Sequence, residues 1–116
     1  EATSEEECVE EYVKLPESLF GSGAFYILRA RGDSMEDAGI HEKDLVVIQK
    51  QETAKVGDIV VALIGDNENT LKRFGGLDEE GYAILEYQNE EVYPGKIIRV
   101  RDLIVQGVAK HVIKSL

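Results

Sequence analysis

A chain of 116 residues is long enough for one hydrophobic core and too short for two. Its 43% hydrophobic and 31% charged residues suit an ordinary globular domain, and no apolar run approaches the roughly 18–20 residues that cross a bilayer. A net charge of −10, with basic residues scattered apart from Lys72-Arg73 and Arg99/Arg101, excludes nucleic-acid binding by this stretch, because phosphate neutralisation needs clustered Lys and Arg.

In chain order, residues 1–11 are dominated by Glu5-Glu6-Glu7 and Glu10-Glu11 and read as a solvated, flexible acidic arm. Glu1 opens the chain without Met, as a processed fragment would, and nothing resembles a signal peptide. The lone Cys8 has no internal disulfide partner, which suits a reducing cytoplasm. Tyr12–Leu15 reads as a short edge strand, Pro16 opens a helical turn through Phe20, and Gly21-Ser22-Gly23 is a flexible connection. Phe25–Ala30 is an apolar strand that ends at Arg31-Gly32-Asp33-Ser34, where a glycine and an aspartate present a serine at a turn. Met35–Ala38 suits a single helical turn before Leu45–Ile48, a buried four-residue run.

Ile59–Ile64 is the longest apolar segment. Gly65-Asp66-Asn67 and Gly75-Gly76 bracket Glu68–Phe74 as a strand in a hairpin. Tyr82–Tyr87 follows, Pro94-Gly95 fits the centre of a type II turn into Ile97–Val100, and Leu103–Val112 closes the chain. With no sustained helical period, the expected fold is all-β, a sandwich or partly open barrel in one domain over residues 1–116.

The sequence contains no CxxC, HExxH, P-loop or GxGxxG, so neither a metal nor a cofactor is expected. His41 and His111 are the only candidate histidine bases for Ser34, and neither has local sequence that presents it as one. Cys8 stands among acidic residues, which disfavour the thiolate. Asp33, Glu36 and Asp37 suit solvation and capping of the turn better than acid–base work. A serine can also be activated by a lysine, provided the amine is desolvated enough to be neutral. Lys72 is the lysine set mid-strand. Alternation places Thr70, Lys72 and Phe74 on one face and Leu71 and Arg73 on the other, so Thr70 could hold the amine beside an aromatic wall. A strand lysine can equally snorkel to water.

Gly32-Asp33-Ser34-Met35 with Gly39-Ile40 and Asp44 resembles the nucleophile motif of the LexA/UmuD-type S24 serine peptidases. Thr70-Leu71-Lys72-Arg73 resembles the same family's catalytic-lysine strand. Leu15-Pro16-Glu17-Ser18-Leu19-Phe20, Asn89 with Tyr93-Pro94, and Gln106–Ala109 through Val112-Ile113 extend the resemblance over about residues 12–113. Lys43 stands where many relatives have glycine, and Tyr87-Gln88 replaces their usual Pro-Glu.

The resemblance implies the fold of LexA-like C-terminal domains and an autopeptidase. In it Ser34 attacks an Ala-Gly bond with Lys72 as general base, Thr70 supports the amine and Met35 anchors the turn. The backbone N–H groups of Ser34 and Asp33 would form the oxyanion hole. It further implies cleavage stimulated by RecA filaments on single-stranded DNA, and a homodimer through Gln106, Val108, Lys110 and Val112 of the last strand. Operator DNA would be bound only by an N-terminal domain that this sequence lacks. Ala38-Gly39 lies inside the nucleophile motif, and family spacing puts the scissile bond at or just before Glu1, as in a post-cleavage fragment. Other readings are an UmuD-like polymerase accessory protein, a phage repressor, or a β-rich dimerisation module without catalysis. A type I signal peptidase would need a membrane anchor.

Overall fold

The computed structural model describes residues 7–66 and 68–116. Its strands are β1 (Glu7–Val13), β2 (Phe25–Ala30), β3 (Leu45–Gln49), β4 (Ile59–Leu63), β5 (Asn69–Leu77), β6 (Ala83–Glu86), β7 (Ile97–Val100) and β8 (Ile104–Ile113). A four-residue helix, α1 (Glu17–Phe20), and a 3₁₀ turn at Glu36–Ala38 are the helical elements among the described residues, at the two places where the sequence suggests helical turns. Among the described residues no helix is long and apolar enough to cross a membrane.

All strands belong to one antiparallel sheet in the order β1-β2-β3-β8-β4-β5-β6-β7. β1–β3 and β4–β7 are therefore two meanders, and the last strand joins them. No pairing joins β1 to β7 among the described residues, so the expected all-β architecture is realised as an open sheet. The strands flanking β8 are the most apolar. Val46, Val47 and Ile48 on one side and Val60, Val61 and Ala62 on the other are each at most 1% exposed. Continuous β-branched runs of this kind belong to strands buried on both faces.

Alternation along β4 divides the core in two. Val61 packs in a cluster with Tyr26, Leu28, Met35, Ile40, Ile48 and Leu71, whereas Val60 and Ala62 face a second cluster with Leu85, Val105 and Val108. The first cluster takes side chains from β2, β3, β4 and β5. Since β2 and β5 are separated in the sheet by three strands, this cluster requires the sheet to curl.

Three expectations are corrected. The acidic arm 1–11 overlaps β1, in which Glu7, Cys8 and Val9 pair with Ala30, Arg29 and Leu28 before a bulge, so strand pairing overrides the acidic composition there. Residues 1–6 of that arm lie outside the described residues. The edge strand read over Tyr12–Leu15 lies instead at Glu7–Val13, short of Lys14 and Leu15. Gly75-Gly76 does not end its strand: β5 runs on to Leu77 through a bulge where Gly76 adopts φ 93, a conformation open to glycine without strain. The Pro94-Gly95 turn matches its expectation. Gly95 has φ 64 and the Lys96 N–H donates to the Tyr93 carbonyl at 3.2 Å.

Candidate functional site

The serine leaves β2 at a forced turn. Gly32 has φ 78, which turns the chain away beyond the end of β2 and leaves Ser34 at the start of the loop, 6% exposed. Met35, 4% exposed, anchors this loop in the first core cluster, a burial that contributes about 1.5–3 kcal/mol. The loop then closes on itself. The Met35 carbonyl accepts from Ala38 and Ile40, and Gly39, at φ 84, donates to the Glu36 carbonyl at 2.9 Å.

The segment after β6 clamps the same loop. Gln88 N–H donates to the Ser34 carbonyl at 2.7 Å and Asp37 N–H to the Gln88 carbonyl at 2.6 Å. Asn89 Nδ2 donates to the Asp33 carbonyl at 2.7 Å, Tyr93 Oη to Asp33 Oδ1 at 2.8 Å, and Glu90 N–H to Asp37 Oδ2 at 2.8 Å. Asp33 and Asp37 thus fasten two loops together. The expected capping role is not what the structure contains, since the 3₁₀ turn has Met35 at its N-cap and no side-chain cap.

Lys72 is 0% exposed and is the largest fully buried side chain among the described residues. Lysines are almost never so buried unless the amine has acquired partners. Here Nζ donates to Thr70 Oγ1 at 2.6 Å, two residues back on the same face of β5, as alternation requires. Thr70 is itself 3% exposed. Across the ladder Lys72 stands opposite Val60, and Thr70 opposite Ala62, so the lysine stem crosses apolar surface of the second core. The aromatic wall is Tyr87, whose ring centroid lies 4.7 Å from Nζ. Phe74, expected in that role, packs with the second core.

Two connections bring the serine turn and the lysine strand into one neighbourhood. Met35 and Leu71, the residues adjoining Ser34 and Lys72, share the first core cluster. Tyr87, against which the Lys72 amine lies, adjoins Gln88, whose N–H holds the Ser34 carbonyl. Among the described residues, no backbone carbonyl accepts from the N–H of Asp33 or Ser34. Such donors can receive an anion.

The histidines have other partners. His41 is exposed in the turn before β3, beside Asp44 and Lys114, while His111 makes an edge contact with Phe20 at 4.9 Å. Cys8 lies in β1. No group of three or more His, Cys, Asp or Glu residues is arranged to hold a metal among the described residues.

The residues named for self-association all lie in β8 and divide by exposure. Lys110 is exposed, and Gln106 and Val112 are half-buried. Val108, 2% exposed, packs in the second core. Register shifts at Gln106, against β4, and at Lys110, against β3, break the strict alternation of faces along β8. β8 pairs with β4 through residues 104–108 and with β3 through 108–113. Beyond Val108 its β4-facing side has no strand neighbour among the described residues.

Asn89, Tyr93, Asp37 and Tyr87 are site residues that sequence reasoning did not assign. Asn89, Tyr93 and Asp37 meet partners more than fifty positions away, and Tyr87 meets Lys72 across the β5–β6 hairpin, so apart from the resemblance around Asn89 and Tyr93-Pro94 no local pattern marks their roles.

Comparison with known proteins gives a consistent result. The family described as Peptidase S24-like matches residues 1–110. A LexA repressor of Halalkalibacterium halodurans is 46% identical over 88 residues, covering 76% of this chain and 42% of that protein. A LexA repressor of Caldicellulosiruptor saccharolyticus is 38% identical over 110 residues, 95% of this chain and 52% of the relative. The chain spans about half the length of these curated relatives.

Proposed function

This chain belongs to the Peptidase S24-like family, and on that footing we propose that it is the self-cleaving peptidase and dimerisation domain of a LexA-like repressor of the SOS response. The observation that carries the reading is the buried Lys72 amine, held by Thr70 behind the clamped Ser34 turn.

The chemistry follows from those groups. The Lys72 amine, when unprotonated, accepts the Ser34 hydroxyl proton as Oγ attacks the carbonyl carbon of an Ala-Gly bond. The tetrahedral oxyanion is received by the N–H groups of Ser34 and Asp33. Its collapse breaks the C–N bond, the leaving amine takes the proton back from the Lys72 ammonium, and an ester to Ser34 remains. Water then attacks the ester with Lys72 again as base. A carboxylate is released and the serine is regenerated.

Within the whole repressor, cutting would separate a DNA-binding part from this domain, with RecA filaments on single-stranded DNA as the stimulus, in the cytoplasm. The free side of β8 beyond Val108 supports self-association by strand pairing across a two-fold axis, as unpaired sheet edges recruit a second strand. Of the named set, Lys110 and Val112 lie on that segment.

The test is cleavage in trans. Given a separate polypeptide carrying the Ala-Gly segment, the domain cuts it at that bond. Ser34→Ala and Lys72→Ala each remove the activity. Retention of the cutting rate by Lys72→Ala would sink the dyad.

A further inference from the structure

The geometry points to Asn89 as the positioning residue of the oxyanion hole. This role rests on the peptidase reading above. The carbonyl of Asp33 and the N–H of Ser34 belong to one peptide unit. Such a unit is planar and trans, so whatever fixes the direction of the oxygen also fixes the direction of the N–H. Asn89 Nδ2 donates to that oxygen at 2.7 Å. By holding the carbonyl from behind, it aims the Ser34 N–H towards the face where the substrate oxygen acquires its charge. Donation to the carbonyl also polarises the amide and makes its N–H a better donor, as in any hydrogen-bonded chain.

The Asn89 amide is well placed for this work. It is 4% exposed. Its Oδ1 accepts from the Val92 N–H at 3.3 Å, which assigns oxygen and nitrogen to their ends, and its own carbonyl accepts from Tyr93 N–H at 2.8 Å. A closed turn thus carries the side chain as a rigid bracket. The Tyr93 hydroxyl on Asp33 Oδ1 and the Gln88 N–H on the Ser34 carbonyl restrain the atoms on either side. The bond directed at the peptide bearing the Ser34 N–H is the one from Asn89.

The experiment uses the trans reaction with the separate Ala-Gly polypeptide. Asn89→Asp keeps the shape and the acceptor to Val92 but loses the donor. It lowers kcat by about 10- to 100-fold, as expected when an oxyanion donor is mis-aimed, and leaves KM within about threefold. Substrate affinity measured in the Ser34→Ala background is the same with Asn89 or Asp at position 89. A peptidyl boronate, whose adduct with Ser34 carries the tetrahedral negative charge, binds more weakly by the same factor as kcat falls. If Asn89→Asp does not fold, Asn89→Ser, too short to reach the Asp33 carbonyl, takes its place.

Unchanged kcat, or a kcat loss matched by an equal loss of ground-state affinity, would overturn the role of Asn89. Cutting that survives Ser34→Ala and Lys72→Ala would overturn the peptidase reading itself. The two failures are separable.

Discussion

Asp44 ties the end of the site loop to the end of the chain. Its carboxylate, on a side chain 14% exposed, accepts from Lys114 Nζ and, at 2.8 Å, from the His41 N–H. Burial pushes its pKa upward, but the Lys114 hydrogen bond, the His41 N–H and the charges of both partners outweigh it and hold the carboxyl below its ordinary value. For a depressed carboxylate, the stabilisation is complete above the unfolded value of about 4 and is lost as pH falls through the lower folded value. Lys114→Met therefore costs about 1 kcal/mol near neutrality and progressively less in acid. Urea unfolding of both proteins across pH checks this, and a difference that persists undiminished at the acid end contradicts it. The neighbouring Lys43 has φ 77, a left-handed backbone that is costly for a side chain. A glycine here would adopt the same conformation without that cost.

At the scale of elements, the close contact of β8 with its neighbours rests on Gly107. A Cβ there would collide with Ile48 Cγ2 and stand 2.9 Å from the Gln49 carbonyl and 3.1 Å from the Tyr26 hydroxyl. Gly107→Ala is expected to cost about 1–3 kcal/mol through overpacking, read as a lower midpoint in urea. Loss of less than a few tenths would mean that β8 can shift without penalty. How far these elements could be read in advance followed the reach of the contacts that make them. β3 and β4 announced themselves as apolar β-branched runs, and Lys72 was conspicuous as a charge within a strand. Ser34 stood at a Gly-Asp turn. The bulges that turn Val108 inward and the Asn89 bracket on Asp33 depend on pairings far apart in sequence, which no local pattern carries. β1 was hidden because its glutamates signal solvent, although its backbone groups pair with β2.

At the scale of the molecule, the proposed pairing through the open side of β8 is open to measurement. Sedimentation at tens of micromolar, an order above common weak-dimer affinities, is expected to give a dimer. A monomer there would remove strand pairing through residues 109–113 from the reading. The position of β8 in the sheet has a further consequence, in time. The serine follows the second strand of the first meander and the lysine lies in the second, and within the sheet, among the described residues, only β8 joins them. A nascent chain would hold both halves of its candidate dyad before it could bring them together. On the peptidase reading, a chain shortened before β8 is therefore expected not to cut a separate Ala-Gly polypeptide, and an assay on that truncation checks it.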